Sequence, residues 1–166
     1  MGNAQIVVKL NGIHIFSEPI TGNMNYTVSN TINASLEDVS KNFLDSEGVK
    51  HWMEGLERIE HISGTPGKVG AKSDFYFLHK GKEMKISETI LEEDMPNQMK
   101  FSYQSPMGYN EVEMIFEKID DSSVKQINNS YFKLTGFMKL FGFLFKGMFK
   151  KQSMKFMIAF KKYVEG

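Results

Sequence analysis

The last third of the chain, from Ser122 to Val164, combines a helical pattern of apolar residues with charge of one sign only. This segment holds nine Lys and eight of the 14 Phe but no Asp or Glu. Residues 1–121 carry 11 Lys plus Arg against 19 Asp plus Glu, and residues 122–166 carry nine against one, so the net charges are −8 and +8. A basic helix with a wide apolar face is stable only when another apolar surface of the chain covers that face.

The apolar residues of this segment recur at about 100° per residue, which is typical of one helix face. The predicted aromatic stripe consists of Phe137, Phe141, Phe145, Met148, Phe149, Phe156, Ala159, Phe160 and Tyr163, with Lys139, Lys146, Lys150 and Lys161 roughly opposite. Gln152 falls inside the stripe and needs a polar partner, either on a sheet or on a ligand. Glycines at 136, 142 and 147 each cost about 1 kcal/mol relative to Ala, which predicts a separate, looser helix before about residue 147.

Between residues 56 and 134, apolar and polar residues alternate with the period of antiparallel strands. The predicted strands cover residues 56–63, 71–79, 82–93, 98–105, 109–119 and 124–134. Turn residues separate them, at Lys80-Gly81, Met95-Pro96-Asn97, Pro106-Met107-Gly108 and Asp120-Asp121-Ser122. The alternation gives this predicted sheet one apolar face, which is the surface that the terminal helix needs.

The first part of the chain begins with a β-hairpin signal, because Asn11-Gly12 suits a type I′ turn between residues 5–10 and 13–16. A long strand is predicted over residues 24–33, and Ser35 is the predicted N-cap of a short helix. A second helical turn follows near residues 49–52. We therefore expect an N-terminal hairpin extension at residues 1–22 and a single α+β domain at residues 23–166.

Four motifs stand in a recognisable order: His51–Gly55 before Leu56–Glu60, Gly64–Gly70, Glu88–Pro96 before Met99–Tyr103, and Gly136–Lys139 leading to Phe149–Gln152. Together they resemble the START-like helix-grip superfamily, specifically its polyketide cyclase/dehydrase and lipid-transport group (SRPBCC). The resemblance covers about residues 24–165. It implies a curved antiparallel sheet around a long C-terminal helix, with a cavity for a hydrophobic or amphipathic molecule between them. Members of this superfamily carry lipids, bind quinones, activate chaperone ATPases or catalyse cyclisations, so the fold does not decide the function.

Strand parity, the aromatic stripe and, for Trp52 and Met53, the resemblance give a set of expected ligand-binding residues. The set is Trp52, Met53, Phe75, Phe77, Met84, Ile86, Glu88, Met99, Phe101, Tyr103, Asn128, Ser130, Phe132, Phe141, Phe145, Met148, Phe149, Gln152 and Phe156. We expect Gln126, Asn128 and Ser130, which share one face of the last strand, to be partners for Gln152 or for the polar group of a ligand.

Glu88 is the first candidate for chemistry, because it shares the parity of Met84, Ile86 and Ile90. A carboxylate on that apolar face would have a raised pKa and would serve as a general acid or base. The alternative is that the strand twists, or that Glu88 pairs with a Lys at the rim. His79 is a weaker candidate, since its place beside a hairpin turn favours exposure.

The sequence lacks the residues that several classes of functional site require. The chain has no Cys, which excludes disulfides and thiolate metal ligands, and its four His show no metal-binding spacing. It contains no Gly-x-Ser-x-Gly elbow and no phosphate-binding loop, so we expect no metal and no cofactor. Apolar runs of a few residues and the lack of a leader pattern favour a cytoplasmic location. A near-neutral isoelectric point and inward-facing aromatics argue against nucleic acid.

Three functions remain open at this stage. The first is binding or transport of a lipid, quinone or polyketide-like molecule. The second is a cyclase/dehydrase-type enzyme that uses Glu88 or His79. The third is an interaction module or homodimer that uses the N-terminal hairpin and the outer face of the terminal helix.

The terminal helix has a further interpretation, because Phe143 and Met157 fall among its lysines. A basic face with apolar residues suits an anionic membrane. The alternatives are that the acidic strands neutralise the helix, or that these apolar residues form a homodimer interface.

Overall fold

The computed structural model describes residues 7–10, 13–16, 23–79, 81–106 and 108–166, without the side chains of residues 7–10, 13–16, 79, 137, 138 and 140–144. The elements in chain order are β1 (Val7–Leu10), β2 (Ile13–Phe16), β3 (Asn23–Ile32), α1 (Leu36–Leu44), α2 (Val49–Trp52), β4 (Leu56–Ser63), β5 (Lys72–His79), β6 (Lys82–Asp94), β7 (Gln98–Ser105), β8 (Gly108–Asp120), β9 (Ser123–Leu134) and α3 (Gly136–Glu165). From β3 to β9 the bounds agree with the predicted strands to within one residue.

Strands β3 to β9 form one curved antiparallel sheet in the order β3-β9-β8-β7-β6-β5-β4. Strands β1 and β2 pair antiparallel as a separate two-stranded sheet, as predicted, although the Asn11-Gly12 turn itself lies outside the described residues. The ladder between β4 and β5 shifts register twice, between Leu56 and Arg58 and between His61 and Ser63. These shifts are β-bulges, which bend and twist β4 at the end of the sheet.

Helix α1 begins at the predicted cap. The Ser35 hydroxyl accepts a hydrogen bond from the backbone N–H of Asp38 at 3.1 Å, and Ser35 has the extended backbone of an N-cap residue. The cap directs α1 across the ends of the sheet, where Val39 is buried and Phe43 is half-buried. The local signal in the sequence therefore sets the direction in which the chain leaves β3.

The C-terminal half of α3 packs with α1, α2 and the ends of β3, β8 and β9 in a cluster that we call the packed end. Its buried residues are Ile32, Val39, Trp52, Met114, Phe116, Val124 and Phe160. The ring of Phe43 meets the rings of Phe116 and Phe160 edge-on, with centroid distances of 5.1 and 5.6 Å. Edge-to-face contacts of this kind add to the free energy gained from burying the rings.

Helix α3 is one continuous helix of 30 residues, so the predicted break near Gly147 is wrong. Glycine lowers helix propensity but adopts helical backbone angles freely, and no other group lies within 4 Å of where a Cβ of Gly147 would be. Nothing at this position therefore forces the chain to turn. Among the described helices, none is both long and apolar enough to cross a bilayer.

The buried face of α3 differs from the predicted aromatic stripe. Met157 was expected among the lysines but is only 2% exposed, whereas Met148 is 51% exposed and Gln152 points to solvent. Phe149 and Phe160 are buried as predicted. The helix is therefore rotated about its axis relative to the prediction, towards the side of residues 153, 157 and 160.

Polar contacts with β3 help to fix this rotation. The hydroxyl groups of Tyr26 and Ser153 lie 2.9 Å apart, and Asn30 Nδ2 donates to the Met157 carbonyl at 3.2 Å. Phe residues occur on more than one side of the helix, so the apolar pattern alone did not select between rotations. The small residue Ser153, rather than Gln152, is the polar group that faces the sheet.

Candidate functional site

A line of polar residues crosses the inward face of five neighbouring strands. The residues directly opposite one another in the ladders are His61, Ser73, Glu88, Tyr103 and Asn110, one each from β4 to β8. Directly opposed residues in antiparallel strands point to the same face. These five residues, which we call the polar row, therefore form one continuous line across the sheet.

Apolar residues flank the polar row on both sides. Ile90 and Phe101 are register partners on one side, and Phe75 and Ile86 are register partners on the other. Ile90 and Phe101 belong to a buried cluster with Ala71 and Met99. The polar row thus lies within an apolar surface that faces the helices.

Glu88 is the charged member of this row that lies deepest in the sheet. Burial raises the pKa of Glu88 to about 7, and a hydrogen bond from Tyr103 acts in the opposite direction. The loss of contact with water is the larger effect, so the carboxyl is about half protonated at neutral pH. No ion pair with Lys or Arg is found for Glu88 in the described part of the chain. Glu88 therefore faces inward, and no rim Lys of the described residues pairs with it.

Tyr103 is the neighbour that contacts this carboxyl. Burial, together with the nearby Glu88 carboxylate, raises the pKa of Tyr103 well above its usual value, so the phenol keeps its proton and donates it in a hydrogen bond to Glu88. The Tyr103 ring stacks on Phe101 with a centroid distance of 6.1 Å. Tyr103 thus positions the carboxyl from one side without bringing a positive charge.

Glu88 and Tyr103 are desolvated, yet both keep part of their surface accessible. A residue packed in a solid core has no accessible surface, and a residue on the outside of a protein is not desolvated. The combination is expected where apolar walls enclose a small accessible space.

The inward face has more unpaired hydrogen-bond acceptors than unpaired donors. The buried side-chain oxygens without a partner among the described residues are Asn30 Oδ1, Asn110 Oδ1 and Gln126 Oε1, against a single nitrogen, Trp52 Nε1. Gln126 Nε2 meets only the Met114 sulfur, at 3.4 Å. Buried polar groups are normally satisfied by protein or water, so these oxygens keep the capacity to accept a hydrogen bond.

Most of the expected ligand-binding residues lie on this inward face. The ladders place there Phe75, Phe77, Met84, Ile86, Glu88, Met99, Phe101, Tyr103, Asn128, Ser130 and Phe132. Phe77, Met84 and Ile86 keep partial exposure and belong to none of the three buried clusters of the described residues. This part of the inward face is therefore less closely packed than the rest.

The expected residues from α2 and α3 lie elsewhere. Trp52 is a core residue of the packed end, with its ring centroid 5.1 Å from that of Phe160, and Met53 packs beside it. Phe145 and Phe149 belong to a cluster over β3 and β9, in which Phe149 lies 4.6 Å from Phe132 by ring centroid.

The remaining members of the set divide into three cases. Met148 and Gln152 point to solvent because α3 is rotated away from them. Phe156 is half-buried. The side chains of Phe141 and His79 lie outside the described residues.

Gln126, Asn128 and Ser130 do not serve Gln152. Ser130 donates to Asn128 Oδ1 at 2.6 Å, so these two satisfy each other. Sequence reasoning also missed Ser73 and Asn110, which complete the polar row. Parity gave a signal for Asn110, since it alternates in step with inward-facing Met114 and Phe116 on β8.

The outer face of the sheet carries an open groove of about 440 Å³ near Lys100, Glu111, Glu113 and Asn129. Its charged groups are paired: Asn129 donates to Glu113 at 2.8 Å, and Lys100 lies 3.5 Å from Glu111. The described charges of the groove are therefore already engaged with one another. No cluster of three or more His, Asp or Glu suited to a metal occurs among the described residues.

The outer face of α3 is basic and only partly neutralised. Lys155 pairs with Glu54, and Lys161 with Glu165 at 3.3 Å. Five further lysines are exposed and have no acidic partner in the described part of the chain: Lys139, Lys146, Lys150, Lys151 and Lys162. Several sheet glutamates pair with lysines of the sheet or its loops, so these glutamates form no ion pair with the described lysines of α3. Neutralisation of the helix by the acidic strands stays a prediction.

No protein-family model and no curated protein sequence matches the chain. Solved structures do match. The crystal structure of Ara h 8.0201 gives a TM-score of 0.70 at 16% identity over 86% of this chain and 97% of that one. The Zhui aromatase/cyclase from Streptomyces sp. R1128 gives 0.72 at 11% identity over 86% and 94%. TTHA0849 from Thermus thermophilus gives 0.66 at 19% identity over 85% and 97%. Together with the sheet order and the closing helix, these likenesses show that the chain has the helix-grip fold.

Proposed function

We propose that the protein binds a hydrophobic or amphipathic small molecule between the inward face of β5–β7 and helix α3, a region that we call the hollow. The observation that carries this proposal is the state of Glu88, which is desolvated enough to raise its pKa to about 7 and yet remains accessible. A ligand with an apolar body and a polar group would cover the flanking rows and reach Glu88 and Tyr103.

The placement of α3 supports the proposal. The helix makes its main contacts with β3 and with α2, at one end of the sheet order. Strands β5 to β7 lie three to five places away in that order. A single helix laid over one side of a curved sheet leaves space over the other side unless large side chains fill it.

The residues around the hollow suit a variable ligand. Met84 and Ile86 line it from β6, and Phe75 and Phe77 from β5. Methionine is flexible and polarizable, and aromatic rings offer flat apolar surface, so such a lining adapts to different shapes. An enclosed apolar site with a few polar groups is the usual form of a small-molecule site.

Native mass spectrometry of protein purified from its own host tests the proposal, followed by identification of any molecule released on denaturation. We expect a bound apolar compound, and we expect Ile86→Trp, which fills the hollow, to lose it. Ile62→Trp is the matched control, because Ile62 is 55% exposed. A chain that carries no compound and whose stability no apolar probe changes would contradict the proposal.

A second function is favoured by the same residue. A carboxyl with a pKa of about 7 is well matched to general acid–base catalysis near neutral pH, and one solved structure of the same fold is an aromatase/cyclase. We infer a cyclase/dehydrase-type reaction with Glu88 as acid or base and Tyr103 as its hydrogen-bond donor. Glu88→Gln should abolish turnover of a candidate substrate while binding persists, whereas Glu92→Gln, on the outer face of β6, should not. Unchanged turnover in Glu88→Gln would eliminate the enzyme.

A carrier of apolar cargo also needs a place to exchange it, and we infer that the outer face of α3 contacts anionic membranes. Exposed Met148 and Ile158 lie among the unpaired lysines of this face. The protein should pellet with phosphatidylserine vesicles at low salt and be released by salt. Exchange of Lys151 and Lys162 for Glu should abolish pelleting, and Lys118→Glu, remote on β8, should not. Equal pelleting with neutral vesicles would refute the electrostatic contact.

A further inference from the structure

We propose that the hollow selects apolar molecules that donate a hydrogen bond, through an uncharged hydroxyl or an amino group, and rejects carboxylates. This selectivity rests on the proposed function, since it concerns the same site. It is carried by the chemistry of the polar row and of the inward face around it.

The described polar groups that face the hollow are mainly hydrogen-bond acceptors. The Tyr103 hydroxyl already uses its one donor in the hydrogen bond to Glu88. Asn110 Oδ1, next to Tyr103 in the polar row, has no donor among the described residues. An ionised carboxylate accepts hydrogen bonds only, and a phenol oxygen keeps lone pairs after donating its proton. A ligand donor placed between Glu88 and Asn110 would therefore meet acceptors on both sides.

Among the residues that the structure describes, no Lys or Arg of this surface faces the hollow, where it could pair with an acid. On the strands beside Glu88, Lys85 and Lys100 point outward, where they pair with Asp74 and with Glu92 and Glu111. Lys82 is exposed at the far end of β6. A carboxylate ligand would thus bring a second negative charge next to Glu88 without a cation to offset it, which is unfavourable in a site that excludes water.

The groups that face Glu88 can be named from each neighbouring element. Ser73 faces it from β5, Tyr103 from β7, and the apolar Ile86 and Ile90 from its own strand. His61 lies one strand beyond Ser73, is exposed, and its Nε2 meets the Gly64 carbonyl at 2.9 Å. Among the described residues of α3, no charged side chain is buried.

Proton linkage predicts how the affinity for each class of ligand changes with pH. A ligand that donates a hydrogen bond stabilises the ionised carboxylate and so lowers the pKa of Glu88 on binding, which makes binding tighter at higher pH. A ligand with only a carbonyl group would accept a hydrogen bond from protonated Glu88, and its binding would weaken as pH rises. The sign of the pH dependence therefore separates donors from acceptors.

Calorimetry with four probes built on one ring tests the proposal: naphthalene, 2-naphthol, 1-naphthylmethylamine and 2-naphthoate. We expect the naphthol and the amine each to bind about tenfold more tightly than naphthalene at pH 8, since a hydrogen bond to a charged group stabilises by that order. Naphthoate should bind no more tightly than naphthalene. The affinity for both donor probes should fall about fivefold between pH 8 and pH 5.5.

Two variants assign the preference to named groups. Glu88→Gln should lower amine affinity about tenfold and naphthol affinity less, because the amide still accepts a hydrogen bond but has no charge. Asn110→Leu removes an unpaired acceptor, so it should fold normally and reduce the naphthol preference. Glu92→Gln is the control on the outer face of the same strand and should change nothing. The ratio of amine to naphthol affinity in the wild type identifies which donor the site prefers.

The outcomes separate this inference from the proposed function. Equal binding of naphthalene and both donors, or tightest binding of naphthoate, would overturn the donor selectivity while leaving the hollow in place. An unchanged donor preference in both Glu88→Gln and Asn110→Leu would overturn the assignment to the polar row. Failure of all four probes to bind would count against the hollow itself.

Discussion

The packed end and the hollow are built from the same residue types but on opposite principles. At the packed end, α1, α2 and α3 surround Phe43, and rings from four elements meet within contact distance. On the inward face of β5 and β6, Phe77, Met84 and Ile86 are only partly buried, and burial raises the pKa of the neighbouring Glu88 carboxyl. The first arrangement stabilises the fold, and the second is the one on which the proposed site depends.

The largest contrast is expected from removing one aromatic ring at each end. Phe160→Ala, at a residue that is 1% exposed, should lower the free energy of unfolding by about 3–5 kcal/mol, because it leaves a cavity in a close-packed cluster. Phe77→Ala, at the half-buried position, should cost about 1 kcal/mol. Urea denaturation measures both. Equal losses would show that the two ends are packed alike.

Removing the buried charge should act in the opposite direction. The pKa of Glu88 is about 7 in the folded protein against a usual value of 4.5, so the folded state holds a proton that the unfolded chain has released between these pH values. Wild-type stability therefore falls as pH rises through that window. Glu88→Gln should raise the free energy of unfolding by up to about 3 kcal/mol at pH 8.

The same variant should have almost no effect at pH 4, where Glu88 is neutral in both states. Glu92→Gln serves as the control, since its parent side chain is exposed and pairs with Lys100. A stabilisation that is independent of pH would mean that the gain comes from packing rather than from the carboxyl charge.

Removing a single methyl group at each of the two regions tests the same difference in packing. Ile32 is fully buried at the packed end and Ile86 is half-buried at the hollow. Ile32→Val should cost about 1 kcal/mol and Ile86→Val less than about 0.5 kcal/mol. If Ile86→Val were the costlier of the two in thermal unfolding, the inward face of β6 would be closely packed.

A further small effect is expected between the two ends, where α3 is held on β3. Tyr26→Phe removes the hydroxyl that meets Ser153 at 2.9 Å and should cost about 1 kcal/mol. Ser153→Ala should cost a similar amount, and the double variant little more than either alone. Additive losses would show that the two hydroxyls act independently.

The sequence predicted the strands well because each carried its own local evidence. Alternation and turn residues such as Asp120-Asp121-Ser122 mark element ends without reference to the rest of the chain, and the inward placement of Glu88 followed from parity alone. The rotation of α3 could not be predicted from the sequence, because it depends on which face of the helix contacts Tyr26 and Asn30. The polar row was also missed, because strand register joins Ser73, Glu88 and Asn110 across segments that are distant in sequence.

One consequence concerns solubility at high concentration. Within the described strands, β4 pairs with β5 alone, and so leaves one side of its backbone free. A long, straight, free side is a template on which other molecules add strands and grow fibrils. The two bulges of β4 interrupt such a template, and Glu57, Arg58 and Glu60 would bring like charges together in a stacked copy. The irregularity at this end of the sheet therefore guards the protein against self-association through strand addition.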